Sequence, residues 1–424
     1  MSNHQNLRVR NTIMLPLDIP DIEIHSMNVN EKGDYVVTVE STQNSAVCPN
    51  CGTPITKFHG YGREIELRHL PILGYRLYIR LRPKRYVCSM CNGTTTQKLD
   101  WYEEKSPHTK AYDRHLMLQL VNSTVTDVSS KEDVGYDAVE GAVGRCIQSS
   151  VDWNQYTELG IIGIDEIAMR KGRQDFVAII TMQQSNGRVV LLGVLADRQK
   201  DTVRQFFERI PQHLWSTLKK VCTDMWEGYA NAVTEFAAAH AEVSLEVVVD
   251  RFHVAKNYRE CVDTLRKQEC RRLKKELPEA EYTALEGVMW PIRKNKADLT
   301  VTEQEKLDRL FRYSPDLKLA YDFREELTAI FELPLSKEAA RTHILEWQSR
   351  VSQSASTCFD KFLTTLNNWF DKIVNYFDGR FSSGFVEGLN NKIKTTKRRC
   401  YGILKTTTLF QRLYLDMEGY RHFA

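Results

Sequence analysis

The sequence predicts a multidomain α/β protein: β-rich segments first, then an α/β core that is interrupted by an all-helical stretch. Three observations carry this expectation. Two Cys-x-x-Cys pairs lie near the start of the chain, at Cys48/Cys51 and Cys88/Cys91. Three strand-like runs begin at Ile161 and give way to alternating helix and strand. Residues 265–372 then read as helix throughout, with heavy charge.

At 424 residues the chain is too long for one ordinary core. The pattern changes place segments at 1–45 (β), 46–105 (a metal ribbon), 106–155 (a helix-turn-helix), 156–264 (first part of the core), 265–372 (a helical insertion) and 373–424 (second part of the core). Hydrophobic residues make up 42% and charged residues 27%, which suits a soluble globular protein. No apolar run reaches membrane-spanning length. Met1–Arg10 is polar and lacks the apolar stretch of a signal peptide, so a reducing cytoplasm is expected. Net charge is only +3, so any nucleic-acid partner must be met by local basic patches. No internal repeat or low-complexity tract is visible.

In the first segment Tyr35–Val39 is a strand candidate. Each Cys-x-x-Cys pair can form a tight knuckle, and Cys48, Cys51, Cys88 and Cys91 together supply four thiolates to one tetrahedral Zn²⁺. Pro49 and Gly52, and Asn92–Gly93, supply the turns. The competing reading is a set of unpaired buried cysteines; Cys146 and Cys222 do sit in apolar runs of that kind. Between the knuckles, Tyr75–Tyr86 alternates with period two. Arg76, Tyr78, Arg80, Arg82 and Lys84 share one face, and Tyr75, Leu77, Ile79 and Leu81 the other. The basic face suits DNA phosphates; a plain solvated face is the alternative.

Three short helices should follow. Ser106–Pro107 reads as a helix start, leading into Tyr112, Leu116 and Leu120. A second helix is expected over about 126–134, broken by Gly135, and a third places Val139, Val143 and Ile147 on one face. The grouping matches a helix-turn-helix, although any small helical bundle shares it.

Strands are then expected at Ile161–Ile164, Phe176–Met182 and Val189–Leu195, with Asn186–Gly187 as a hairpin turn. Helix 202–210, strand Lys219–Thr223, helix 229–241, strand Leu245–Val249 and a helix from Phe252 complete the series. Three hairpin-linked strands followed by alternation is the order of an RNase H-like domain. The glycine-rich phosphate loop of a doubly wound nucleotide fold is absent. Pro278, Pro291, Pro315 and Pro334 mark breaks between the inserted helices. Lys267–Lys275 there is either a DNA contact or a solvated helix face, and Trp290 either stacks on a base or belongs to a core.

Three acids stand out. Asp165 ends the run Ile161–Ile164, Asp224 follows Lys220–Thr223, and Glu387 lies in Gly384–Asn391. Two aspartates at neighbouring strand ends with a glutamate on a helix suit Mg²⁺ or Mn²⁺, whose ligands are hard oxygens. Two such ions, about 4 Å apart, serve phosphoryl transfer. Phe385, Leu389 and Ile393 should face inward, while Glu387, Asn390, Asn391 and Lys394 form another stripe, with the asparagines and the lysine reaching the nucleic-acid backbone. Lys392–Arg399 carries five basic residues in eight, among them Lys394, Lys397 and Arg398. Taken singly, each acid reads equally as a turn, cap or solvated residue. Asp250 and His253, three apart after an apolar strand, are either groups that order the acidic site or a helix cap and an ordinary histidine.

Together these motifs resemble the ISL-three family of bacterial insertion-sequence transposases over nearly the whole chain. The resemblance rests on the double Cys-x-x-Cys ribbon, the helix-turn-helix, Gly163–Glu166, Asp250–Val254, Glu387–Asn391, Lys397–Arg398 and Tyr401–Gly402. It implies a DDE transposase that binds the terminal inverted repeats of its element and target DNA in the bacterial cytoplasm, on the nucleoid. It implies Mg-dependent strand cleavage and transfer of a 3′-hydroxyl by Asp165, Asp224 and Glu387, in a homodimer or larger assembly. The Asp250/His253 pair is similar to the Asp/Cys-x-x-His signature of hAT and Mutator-type transposases, which makes both catalytic-site candidates. Ser383 departs from the Asn expected there, and Arg170–Arg173 is a candidate phosphate-contacting loop. Two other functions fit the same residues: a transposon-derived DNA-binding regulator without catalysis, and an RNase H-like nuclease.

Overall fold

A computed structural model describes residues 17–170, 174–381, 384–400, 402–403 and 405–424, with no side chain described at 170, 174 or 384–387. The chain forms two compact units, residues 1–147 with 418–424 and residues 148–417.

In the first unit, β1 (Ile22–Val29), β2 (Tyr35–Ser41), β6 (Ile65–Ile72) and β7 (Tyr75–Leu81) make one sheet in the order β1-β2-β7-β6. It draws strands from both sides of residue 45. The alternation expected for Tyr75–Tyr86 holds through β7: Leu77, Ile79 and Leu81 are buried against Val37, Val39 and Leu67. The run then breaks at Arg82–Pro83. Proline cannot donate to a ladder, and the chain resumes as β8 (Lys84–Val87) in a second sheet with β5 (Phe58–Tyr61) and β9 (Thr94–Thr96). A two-stranded hairpin, β3 (Ala46–Val47) with β4 (Pro54–Ile55), carries the first cysteine knuckle.

Helices α1 (Lys110–Leu120), α2 (Val125–Glu132) and α3 (Tyr136–Cys146) follow. The first starts later than Ser106–Pro107 suggests. Thr109 is its N-cap and accepts the Tyr112 amide, while Pro107 and Thr109 bond backbone to backbone with Arg68 of β6. That strand-like pairing keeps the preceding residues extended. The turn between α2 and α3 falls on Asp133, which is left-handed at φ 50°, and Gly135 is the N-cap of α3 at an ordinary φ of −56°. Buried Asp113 accepts from Arg145 at 2.7 Å and pairs with His108 at 3.0 Å, fastening α1 to α3.

The second unit is built on a five-stranded sheet of β10 (Ile161–Arg170), β11 (Gln174–Gln183), β12 (Val189–Val194), β13 (Lys220–Thr223) and β14 (Glu246–Val249), in the order β12-β11-β10-β13-β14. The first three are antiparallel, and β13 and β14 run parallel to β10. Alternation divides the side chains. Ile162, Ile164, Ala178 and Ile180 face a core shared with α4 (Lys200–Glu208), α5 (Gln212–Trp215) and α6 (Glu227–Ala239). Ile167, Met169, Val177 and Ile179 face α13 (Gly384–Arg399) and α14 (Thr406–Phe423) through Leu389, Ile393, Leu409 and Leu413.

Between β14 and α13 the described residues are helical: α7 (Arg251–Glu276), α8 (Glu279–Thr283), α9 (Val301–Tyr313), α10 (Pro315–Glu332), α11 (Lys337–Gln353) and α12 (Asp360–Val374). All four prolines lie at element ends. Pro278 precedes α8, Pro291 opens a 3₁₀ turn, Pro315 opens α10, and Pro334 separates α10 from α11. A capping box of Thr300 and Glu303 starts α9. Their core is aromatic; Trp347 is fully buried and its indole donates to the Phe323 carbonyl at 2.8 Å. Lys267, Arg271, Lys274 and Lys275 are exposed on α7, as is Trp290 after α8. No helix among the described residues is long and apolar enough to cross a membrane.

Candidate active site and cysteine cluster

The two cysteine knuckles have the same construction. The Cys48 amide donates to Thr53 and the Gly52 amide to Cys48, while the Cys88 amide donates to Gly93 and the Asn92 amide to Cys88. Each turn needs a left-handed residue, supplied by Gly52 (φ 71°) and Asn92 (φ 54°). The four sulfurs lie within 4.8 Å of one another, with Cys51 and Cys88 at 3.7 Å. Four thiolates at about 2.3 Å from a tetrahedral Zn²⁺ have that spread, so these residues fit a structural zinc. The Thr53 hydroxyl and amide pull the Cys51 thiol down, and Cys51 in turn pushes Cys91 up.

The basic residues between the knuckles face acids. Arg76 meets Asp133 at 2.6 Å, Arg80 meets Glu66 at 2.7 Å, Arg82 meets Glu64 at 3.2 Å and Lys84 meets Glu40 at 3.3 Å. Most of these pairs are exposed, and such pairs contribute little and exchange readily.

In the second unit Asp165 is not at a strand end, as the apolar run suggested. Pairing of β10 with β13 stops at Gly163–Cys222, but the hairpin with β11 continues to Arg170–Gln174. Asp165 is therefore mid-strand, just past the point where β13 ends and Asp224 follows. Alternation turns Asp165 toward the face covered by α13, where the Asn390 side-chain amide donates to its Oδ2. Asn390 is thus engaged with an acid, not reaching outward as the stripe predicted. The amide of Glu166 donates to Asp165 Oδ1 at 2.7 Å.

Burial pushes the Asp165 carboxyl up, against the pull of the Glu166 amide, Asn390 and His253. Burial also pushes Asp224 up, reinforced by the charges of Asp165 and Glu166 and opposed by His253. The structure thus brings Asp165, Asp224 and His253 together. Asp250 caps α7 by accepting the Phe252 amide at 2.9 Å, and its own amide donates to Thr223 at 3.0 Å. That bond ties the helix start to the residue before Asp224. Glu387 belongs to the backbone of α13, but its side chain lies outside the described residues, as do the side chain of Arg170, residues 171–173, Ser383 and Tyr401.

Among the described residues, four buried polar atoms here have no hydrogen-bond partner: Thr223 Oγ1, Asp224 Oδ1, the Tyr229 hydroxyl and Asn390 Oδ1. Two of them are oxygen acceptors beside a desolvated acid pair. Buried oxygen acceptors of this kind fit a hard divalent ion.

Among the polar residues after Glu387, Asn391, Lys394 and Arg398 are exposed. Lys397 turns inward, its ammonium donating to the carbonyls of Ala168 (2.6 Å) and Met169 (3.1 Å). These carbonyls belong to the part of β10 that runs on past its pairing with β13, so the lysine takes the place of a neighbouring strand.

Sequence reasoning missed Glu166, Arg198 and Tyr229. Glu166 points to the sheet face opposite Asp165, where Arg198 binds it at 2.7 Å. The Arg198 guanidinium is itself stacked between Phe176 and Trp226, 4.7 and 4.4 Å from the ring centres. Period-two alternation could have shown that Asp165 and Glu166 serve different faces; nothing in the spacing pointed to Arg198.

A family model described as "Transposase" matches residues 162–413. One described as "zinc-finger of transposase IS204/IS1001/IS1096/IS1165" matches residues 44–91. The chain is similar to a transposase for insertion sequence element IS1001 of Bordetella parapertussis, 25% identical over 386 residues, 90% of this chain and 91% of that one. It is also similar to a transposase for insertion sequence element IS1557 of Mycobacterium tuberculosis, 22% identical over 428 residues, 95% of this chain and 93% of that one.

Proposed function

The chain belongs to the ISL-three family of transposases, and from that premise we propose that it is a DDE enzyme that cleaves and joins DNA at the terminal inverted repeats of its element. In this reading the five-stranded sheet with α13 and α14 is an RNase H-like core, made of residues 156–264 and 373–424, and the helices over 265–372 are an insertion. The ribbon (46–105), preceded by a β segment (1–45), and the three helices (106–155) as a helix-turn-helix bind DNA, the ribbon and the helices recognising the terminal repeats.

One observation carries the proposal: the desolvated Asp165–Asp224 pair is joined through Asn390 to α13, the helix that bears Glu387. Asp165, Asp224 and Glu387 would hold Mg²⁺ or Mn²⁺. When bound, the metal activates a water or a 3′-hydroxyl and stabilises the leaving oxygen. The chain's own residues prepare for this. Asn390 and the Glu166 amide orient Asp165, and His253 favours the charged form of both aspartates. Asp250 fixes the start of α7 against β13. Lys394, Arg398 and Asn391 offer exposed phosphate contacts beside the acids, and Arg76, Arg80, Arg82 and Lys84 can exchange their acidic partners for phosphates. Two element ends must be held together, so a homodimer or larger assembly is expected during reaction.

The test is strand cleavage and transfer by the zinc-loaded full chain, using DNA that carries the element's own ends. Asp165→Asn should abolish both steps and leave terminal-repeat binding nearly intact. An Asp165→Asn protein that still cleaves with Mg²⁺ would refute the assignment.

A further inference from the structure

The first turns of α7 lead away from the acid pair. His253, in the first of these turns, is near enough for its charge to act on Asp165 and Asp224. Its neighbour Phe252 is 54% exposed, with its ring 5.5 Å from that of His253. Phe252, Lys256 and Arg259 recur at helical spacing on one side of α7, spanning about 10 Å of its length. They line a hollow of about 350 Å³ whose apolar floor is Val262 and Ile292.

The charges around this hollow favour an anion. Lys256 approaches Glu260 only at 4.0 Å, with both side chains more than half exposed. Arg259 gives one N–H to Asn295 at 3.0 Å. Asp263, the other acid on the rim, is taken up by Arg293, Arg266 and Lys267 at 2.9 to 3.0 Å. An open aromatic face over an apolar floor, rimmed by cations, is how proteins bind single-stranded nucleic acid: the base stacks and the phosphates are neutralised. A paired base has both faces covered by its neighbours, so duplex DNA cannot use the ring.

We infer that this hollow takes an unpaired nucleotide of the DNA strand next to the bond that is cut, with its base on Phe252 and its phosphates on Lys256 and Arg259. The inference rests on the strand-cleavage reading and adds a demand for local unpairing at the element's end.

The test uses the zinc-loaded full chain without added magnesium. The probes are a terminal-repeat duplex and a short single strand that spans the cleavage position and carries 2-aminopurine there. The wild type should quench the 2-aminopurine by stacking. Phe252→Ala should lose the quench and bind the single strand about tenfold more weakly, with unchanged affinity for the duplex. Phe252→Trp should restore the quench, which excludes a folding defect. Lys256→Ala with Arg259→Ala should lower the salt dependence of single-strand binding by about one to two phosphate contacts. If Phe252→Ala matches the wild type in quench and affinity while the duplex is still bound, the inference falls and the transposase reading stands. If the wild type binds neither DNA, both fall.

Discussion

The side-chain amide of Asn390 donates to the carboxylate of Asp165, joining helix α13 to the middle of strand β10. Asp165 is half-buried and its carboxyl is pushed up by the loss of solvent, so each donor that favours its charged form matters. Asn390→Ala should leave terminal-repeat binding unchanged, raise the Mg²⁺ concentration needed for cleavage, and slow cleavage by about 10- to 100-fold, as losses of ligand-orienting partners do. Metal titration of the cleavage rate checks this, and wild-type metal dependence in Asn390→Ala would remove the positioning role.

Lys394 and Lys397 lie one turn apart on α13 but meet different surroundings. Lys397 satisfies two carbonyls of β10, and burial lowers its ammonium below the usual lysine range. Lys397→Met should therefore destabilise the protein, by about 1–3 kcal/mol for the acceptors left without a donor. Lys394 is exposed; Lys394→Met should change stability by less than about 0.5 kcal/mol while weakening DNA binding and reducing its salt slope by about one. Urea denaturation and salt-dependent binding of the two variants separate these effects. Equal stability losses would contradict the division.

Much of this contrast was legible before any coordinates. Helical spacing correctly turned Leu389 and Ile393 inward, and period two correctly buried Leu77, Ile79 and Leu81. The apolar runs likewise placed the start of β10, and β11 to β14 with α4 and α6, to within a few residues. What failed was anything set by a long-range partner. Spacing sent Asn390 toward DNA, and the basic run suggested the same for Lys397, because a polar residue on a helix defaults to solvent; only the sheet packed beneath α13 supplies their acceptors. Asp165 was placed at a strand end because the apolar run stops there. The strand continues because β11 still pairs with it, a fact that local hydrophobicity does not carry. Ser106–Pro107 has good start chemistry for α1, but β6 claims those residues first.

The cysteine cluster should be a single cooperative unit. With four sulfurs within 4.8 Å, loss of any one leaves three ligands and an open site. Cys88→Ser, which replaces a buried sulfur of the cluster, should lower zinc content well below one ion per chain. It should also expose the ribbon to proteolysis between Ala46 and Thr96, since structural zinc sites contribute folding energy outright. Elemental analysis and limited digestion of the full chain measure both. A fully zinc-loaded, protease-resistant Cys88→Ser protein would show that the four sulfurs do not share an ion.

Asp263 gives the helical segment an acid-sensitive joint. Burial pushes its carboxyl up, but hydrogen bonds from Arg293, Lys267 and Arg266 outweigh this and hold it well below the usual carboxylate range. A carboxyl lowered in the folded state contributes stability that is complete above its unfolded value, near about 4. That contribution is lost as pH falls toward the folded-state value, because the unfolded chain takes up the proton first. Asp263→Asn should therefore be less stable than the wild type at neutral pH, and the gap between them should narrow as pH falls below about 4. Urea midpoints of both proteins between neutral pH and pH 3 provide the measurement. A gap that stays constant across that range would mean that the three cations do not depend on the Asp263 charge.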